Sequence, residues 1–356
     1  MIVGTRDPFG FERLHYHPRS GTSASGIRVV LRASGQPAGE PDVAAIAGYL
    51  SGERLVGRTV LRDVRAVPPG HALIRSPQGL TVQPASARPQ HADLETVLRA
   101  SLQRALDSGK RVALALSGGL DSALLLALLR ELGAQRHVTS YILVTDMPDY
   151  CERDAALELA GQMQANVKLV CVNEADFVDA LPRTTHAVEE PMFNLHPVAK
   201  RLLAEAMAAD GVEVAITGDG ADQVLRRDQS ANYLPLCHAL FDAASVDLHP
   251  PFVDAAVVAH LTSFAPDPDK QCLRDLGARL NLPDRLVHGP KRGRLAPAMD
   301  LAALLDRDRV RALADTLGLP APTLQTDTER VLWTTLSLIL DDFAHFDPLD
   351  AAHRPT

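Results

Sequence analysis

Between residues 94 and 217 the apolar positions of this chain repeatedly switch period. Leu94, Val97, Leu98, Leu102 and Leu106 recur at helical spacing and stop near Gly109, which predicts a helix with a glycine end signal. RVALAL (111–116) is then a short apolar run that predicts a buried strand, and 122–132 predicts a helix ended by Gly133. The alternation continues with a strand over 137–144 and a helix over 152–165, whose first turn carries Glu152 and Asp154, where the helix dipole favours acids. A strand over 166–172, helices near 174–188 and 195–209, and a strand over 212–217 complete the series. Strands that alternate with helices and are apolar on both faces predict an α/β fold, with a parallel sheet flanked by helices.

The pattern is different at either end. Residues 1–88 are rich in Gly and Pro, with short apolar pieces such as Ile27–Leu31 and His71–Ile74, and they read as a small β-rich or irregular unit. SARPQ (86–90) reads as a linker. Beyond residue 230 the reading is mainly helical and ends in the amphipathic stretch 327–345. The expected organisation is therefore a small domain over 1–88 and a larger α/β domain with a helical C-terminal part over 89–356.

Composition narrows the function classes. A net charge of −8 argues against a general nucleic-acid backbone binder. Cys151, Cys171, Cys237 and Cys272 are far apart and form no CxxC pair, which fits reduced thiols better than a disulfide framework or zinc site. The N-terminus carries charges where a signal peptide needs an apolar core, and no run reaches membrane-spanning length. A cytoplasmic protein with neither membrane nor nucleic acid as partner is expected.

The chemistry concentrates in Ser117-Gly118-Gly119-Leu120-Asp121-Ser122, which follows one predicted strand and opens a helix. Glycines let backbone N–H groups converge, the helix start adds partial positive charge, and the serines add donors, so the turn reads as an anion site. It contains no Gly-Lys-Ser/Thr and is no Walker A loop. A carboxylate beside bound phosphate is repulsive unless a cation lies between them, so Asp121 reads as a magnesium ligand. A plain strand–turn–helix connection capped by Asp and Ser remains the alternative at this point.

SGGLDS resembles the PP-loop of the ATP pyrophosphatases, and other segments are similar to the asparagine-synthetase group within them. ITGDGADQVL (216–225) resembles that group's second signature, Glu190-Pro191 its acidic-Glu-Pro, and PPFVD (250–254) its Pro-Phe-Leu-Asp. KQCLRDLGARLNLPDRLVHGPKRG (270–293) resembles the segment that closes the active site, and the last helix with Trp333 also corresponds. The resemblance covers roughly residues 90–345, in family order. It implies ATP and Mg2+ as cofactors, with cleavage between the α and β phosphates. By the same resemblance Ser117, Gly118, Gly119 and Ser122 cradle pyrophosphate, together with Gly218 and Gly220 of the second signature. Asp121 and Asp222 hold the metal, adenine lies near Leu143 and Val144, and Lys291 is the catalytic lysine that meets developing negative charge. Arg292 and Arg294 read better as a surface basic cluster.

Two departures shape the expectation. Glutamine-dependent members carry Cys at position 2, whereas this sequence has Ile2, and TRDPFGFERLHYH (5–17) resembles a later part of their glutaminase domain. Residues 1–88 are thus expected to be a truncated remnant of that domain, without glutamine hydrolysis. After Asp222 the family's Glu-Leu-Phe-Gly-Gly-Tyr is replaced by Gln223-Val224-Leu225-Arg226-Arg227. That change puts aspartate in doubt as substrate and suits members similar to β-lactam synthetases and lasso-peptide cyclases, which act in specialised peptide or antibiotic biosynthesis. The expected activity is an AMP-forming amide ligase acting on a small-molecule or peptide carboxylate and amine. Glu190 and Tyr233 are guesses for its general base. A protein partner or homo-oligomer stays open, as do a tRNA-modifying PP-loop enzyme and an inactive pseudo-synthetase.

Overall fold

The computed structural model describes residues 1–53, 56–85, 92–147, 151–227, 233–289 and 305–348. From the N-terminus, β1 (Ile2–Thr5), β2 (His15–Tyr16) and β3 (Ser23–Ala24) precede α1 (Ile27–Ser34) and α2 (Val43–Leu50). Next come β4 (Arg65–Ala66), β5 (His71–Ser76) and β6 (Gly79–Pro84). The α/β series follows as α3 (Leu94–Leu106), β7 (Val112–Ala115), α4 (Leu120–Glu131), β8 (Thr139–Thr145), α5 (Arg153–Gln162), β9 (Val167–Val172), α6 (Glu174–Val188), α7 (His196–Ala209), β10 (Val214–Ile216) and α8 (Ala221–Arg226). After it stand α9 (Leu234–Asp242), β11 (Asp247–His249), α10 (Ala255–Thr262), α11 (Gln271–Arg279), α12 (Asp284–Val287), α13 (Arg307–Leu317) and α14 (Asp327–Ala344). Among the described residues no helix is long and apolar enough to cross a membrane.

The chain divides into two compact units that are not contiguous in sequence: Met1–Ser86 with Val178–Pro197 and Met299–Thr356, and Ala87–Phe177 with Val198–Ala298. This partition differs from a linear division at residue 88.

The second unit holds a five-stranded sheet in the order β11-β10-β7-β8-β9, with every neighbouring pair parallel. Each predicted strand of the series is present. β7 pairs with the late strand β10 in the register Val214↔Val112, Ala215↔Ala113, Ile216↔Leu114. From β7 the chain steps to β8 and β9 on one side, while β10 and β11 lie on the other. This reversal of strand order is where open α/β sheets leave a crevice at their carboxyl edge. α4 is buried at every position from Ser122 to Leu129, as a helix covered on all sides requires. β11 was not expected, because three residues are too few to show a period.

In the first unit, β1-β5-β6 and β3-β2-β4 are small antiparallel sheets. Its N-terminal segment also contains helices, α1 and α2. Ile27–Leu31 belongs to α1, where Ile27, Val30 and Leu31 share one face and Gly35 closes the helix at φ 65. These side chains form a core with Ile46, Leu61, Val310, Trp333, Leu336 and Ile339, so α13 and α14 pack with the N-terminal segment.

What starts α1 lies far away in sequence. The Glu189 carboxylate accepts the N–H of Ile27 at 2.6 Å and of Arg28 at 2.8 Å, and it meets Arg13 at 2.9 Å and Arg28 Nη1 at 3.2 Å. Burial alone would raise the Glu189 carboxyl, but the Arg13 and Arg28 guanidiniums outweigh it and hold it below its ordinary value. Beside it His15 donates to Ser25 O across 2.8 Å as a neutral ring, because burial, reinforced by Arg13, lowers its pKa to about 4.

A free histidine titrates near 6.5. Between that value and the folded one the unfolded chain binds the extra proton, so stability rises with pH through the window and is lost as pH falls. The change is about 3 kcal/mol at most. Urea melts at pH 7.5, 6 and 4.5 are expected to show this loss, and His15→Asn to flatten it. Equal slopes in the two proteins would refute the assignment.

Candidate active site

Two strand-to-helix turns build the site, both within the second unit. In the first, from β7 into α4, the helix start at Gly119 has no side-chain cap, which leaves the first amides of α4 directed at the crevice. The serines brace the turn. Ser122 Oγ accepts the N–H of Ser117 at 3.1 Å and lies 3.0 Å from Ser117 Oγ, while Ser117 Oγ accepts the N–H of Gly119 at 3.2 Å. Ser122 is only 4% exposed, so its hydroxyl fixes the shape of the turn. Gly118 is needed for space, since a Cβ there would fall 2.8 Å from Ala155 Cβ.

The second turn, from β10 into α8, lies against the first. A Cβ on Gly218 would fall 3.0 Å from Asp121 Cβ and 3.1 Å from Ser122 N, so a larger residue would push the two turns apart by a few tenths of an ångström. Gly220 has φ +93, a left-handed conformation, and a Cβ there would fall 2.3 Å from Val253 Cγ1. Thr217 Oγ1 at the end of β10 is buried and has no hydrogen-bond partner, a polar atom that suits a ligand contact.

The two predicted carboxylates converge on one cation. Lys270 Nζ donates to the two Asp121 oxygens at 2.8 and 2.6 Å and lies 3.2 Å from Asp222 Oδ2. Its ammonium is a stand-in ion: the pair demands positive charge. Among the described residues no three His, Cys, Asp or Glu side chains gather as a metal cage. Two carboxylates without a cage fit Mg2+, which commonly takes one or two protein carboxylates and completes its shell with substrate phosphates and water.

Comparison with known proteins agrees with this geometry. Residues 93–228 match the asparagine synthase family model.

These residues are similar to an asparagine synthase domain.

Members of that family use ATP and typically Mg2+. Among curated proteins the chain is similar to amidase chyE of Penicillium rubens, 24% identical over 253 residues, which are 63% of this chain and 37% of that protein. It is also similar to amidase chry2 of Gibberella zeae, 25% identical over 253 residues, with the same 63% and 37% coverage. The chain thus spans 37% of the length of these relatives. Solved structures that resemble it include the NMN synthetase of Francisella tularensis (TM-score 0.36, 14% identity, 75% of this chain and 100% of that one). Another is the NH3-dependent NAD synthetase of Campylobacter jejuni subsp. jejuni (TM-score 0.35, 14% identity, 69% and 96%).

Within residues 93–228, Leu143 is buried in β8, paired with Val170 of β9. Lys291, with Arg292 and Arg294, lies outside the described residues. Glu190 belongs to the other unit, where Tyr49 Oη donates to it at 3.2 Å. Two groups escaped the sequence reading. Lys270 is one, as the first letter of a matched segment whose lysine looks like an ordinary solvated charge. The other is Asp219, the acid between Gly218 and Gly220, which takes Lys200 Nζ at 2.8 and 2.7 Å and the Tyr233 hydroxyl at 3.2 Å. Desolvation and the Asp219 carboxylate push the Tyr233 phenol well above its ordinary value.

Gly218→Ala forces the two turns apart at backbone atoms. ATP affinity by calorimetry is expected to fall at least about tenfold, near 1.4 kcal/mol, while circular dichroism keeps the native signal. An unchanged affinity would mean that the two turns do not share a ligand.

Proposed function

We propose that the chain is an AMP-forming amide ligase that uses ATP and Mg2+. A substrate carboxylate oxygen attacks the α-phosphorus, the α–β anhydride bond breaks, and pyrophosphate leaves. A substrate amine then attacks the acyl carbon, the bond to AMP breaks, and the amine proton is lost. The acyl donor and the amine belong to a small molecule or a peptide, and the amine comes from substrate rather than from glutamine.

One observation carries the reading. Asp121 and Asp222, from separate strand-to-helix turns, meet on a single cation beside an uncapped helix start. A nucleotide-binding module needs the uncapped helix alone. Two carboxylates facing a triphosphate are repulsive unless a metal joins them, and metal-bridged phosphates are what adenylation requires. Mg2+ held by Asp121 and Asp222 would neutralise phosphate charge, with the α4 amides and Gly118–Gly119 orienting pyrophosphate. Lys291 is assigned the negative charge that develops at the α-phosphate. The residues after Asp222 support a substrate other than aspartate: Gln223 stands where the family's pattern has Glu, and Arg226 and Arg227 where it has two glycines. Specialised peptide or antibiotic biosynthesis is the setting this suits.

The amidase names of the curated relatives favour one other reading, amide hydrolysis. Exchange of labelled pyrophosphate into ATP, driven by a panel of carboxylates, separates the two. Exchange with AMP as the nucleotide product is expected, and Asp121→Ala and Asp222→Ala are expected to lower it by about 10²-fold or more. Amine release from an amide without ATP, and no exchange with any carboxylate, would replace the ligase by an amidase.

A further inference from the structure

We propose that Lys270 bars free divalent ions from the Asp121–Asp222 pair, so that the metal enters only together with the nucleotide. The inference rests on the reading of these two carboxylates as metal ligands, and concerns how that site is filled.

Three observations support it. First, the Lys270 ammonium takes up both oxygens of Asp121 and reaches Asp222, and the residue is only 7% exposed. A magnesium ion binds carboxylate oxygens at about 2.1 Å. Bound to an oxygen that Nζ touches at 2.6 Å, it would sit no more than about 4.7 Å from the ammonium. Two cations that close, in a largely buried site, repel strongly.

Second, the lysine is placed by its backbone. Lys270 has φ 57, a left-handed conformation, at the start of α11. The Asp267 carboxylate accepts the next two amides, of Gln271 and Cys272, each at 2.9 Å. The Asp267 N–H in turn donates to Leu225 O at 2.9 Å, which ties this turn to α8, the helix that carries Asp222.

Third, α11 packs on α4, the helix that carries Asp121. Gly277 comes so close that a Cβ there would lie 3.6 Å from Leu120 Cδ1. Both carboxylate-bearing helices therefore aim at the same ammonium. Arg226 also reaches Asp222, at 3.4 Å, but it approaches one carboxylate, whereas Lys270 spans the pair. Exchange of the lysine for a divalent ion becomes favourable once phosphates bring further negative charge, because ammonium and metal then no longer compete for the same two acids.

Binding of Mn2+ to the nucleotide-free full-length chain, followed by the electron paramagnetic resonance of unbound Mn2+, tests the proposal. Lys270→Met is expected to bind at least about tenfold tighter than the parent, and adding Asp222→Asn to abolish the gain. Mn2+ should also raise the melting temperature of Lys270→Met more than that of the parent. Where Lys270→Met does not fold, Lys270→Gln, which still donates to one carboxylate, carries the same measurement. A folded variant that binds Mn2+ no tighter than the parent overturns the proposal. Tight binding by the parent that Asp222→Asn removes overturns it equally. Tightened Mn2+ binding together with no pyrophosphate exchange would keep the lysine's role and remove the ligase.

Discussion

The parallel pairing of β10 against β7 is the constraint on which the site depends. The two strands are a hundred residues apart in the chain, yet their registers match residue for residue. Their following turns must therefore emerge side by side. Each turn opens a helix, so each exposes a helix start, and each carries an aspartate in the first turn of that helix. Nothing else needs to be arranged for two carboxylates and a set of free amides to face one crevice. Gly218 sets how closely the turns approach.

Adjacent carboxylates are costly, and the fold answers with charge drawn from far along the chain. Lys270 reaches Asp121 from 149 residues away, and Lys200 meets Asp219 within the second turn's own neighbourhood. The turn from β10 thus presents two acids with separate partners, one committed to the Asp121 pair and one to a lysine and a tyrosine. The same economy governs the first unit, where Glu189 balances two arginines and caps a helix at once. Buried ionic groups of this kind contribute little net stability against an apolar alternative, but removal of one partner strands the other.

Much of the α/β series could be read from the sequence, because its strands are largely apolar and α3, α4 and α7 are followed closely by Gly109, Gly133 and Gly211. The Ser117–Ser122 turn stood out as a glycine pair and an acid between a strand and a helix, whereas Asp222 came only from the family resemblance. Features built from distant partners could not be read there. Lys270 looks like any lysine at a helix start until a left-handed backbone and the Asp267 cap aim it inward. α1 was read as a short apolar piece because its cap is a side chain 162 residues later, where no local signal can show it. Asp219 has its partners 19 and 14 residues away, at Lys200 and Tyr233, and nothing in the glycines beside it points to either. In β11, three residues gave periodicity nothing to work on.

The capping of α1 by Glu189 also bears on how the protein is made. The amides of Ile27 and Arg28 leave the ribosome 162 and 161 residues before the carboxylate that satisfies them. At roughly 5–20 residues per second, that interval lasts on the order of ten to thirty seconds. Part of the core around α1 comes later still, since Trp333 and Ile339 lie about 300 residues beyond Ile27. Until Glu189 emerges, the start of α1 lacks the side chain that caps it, and Arg13 and Arg28 lack the carboxylate that balances them.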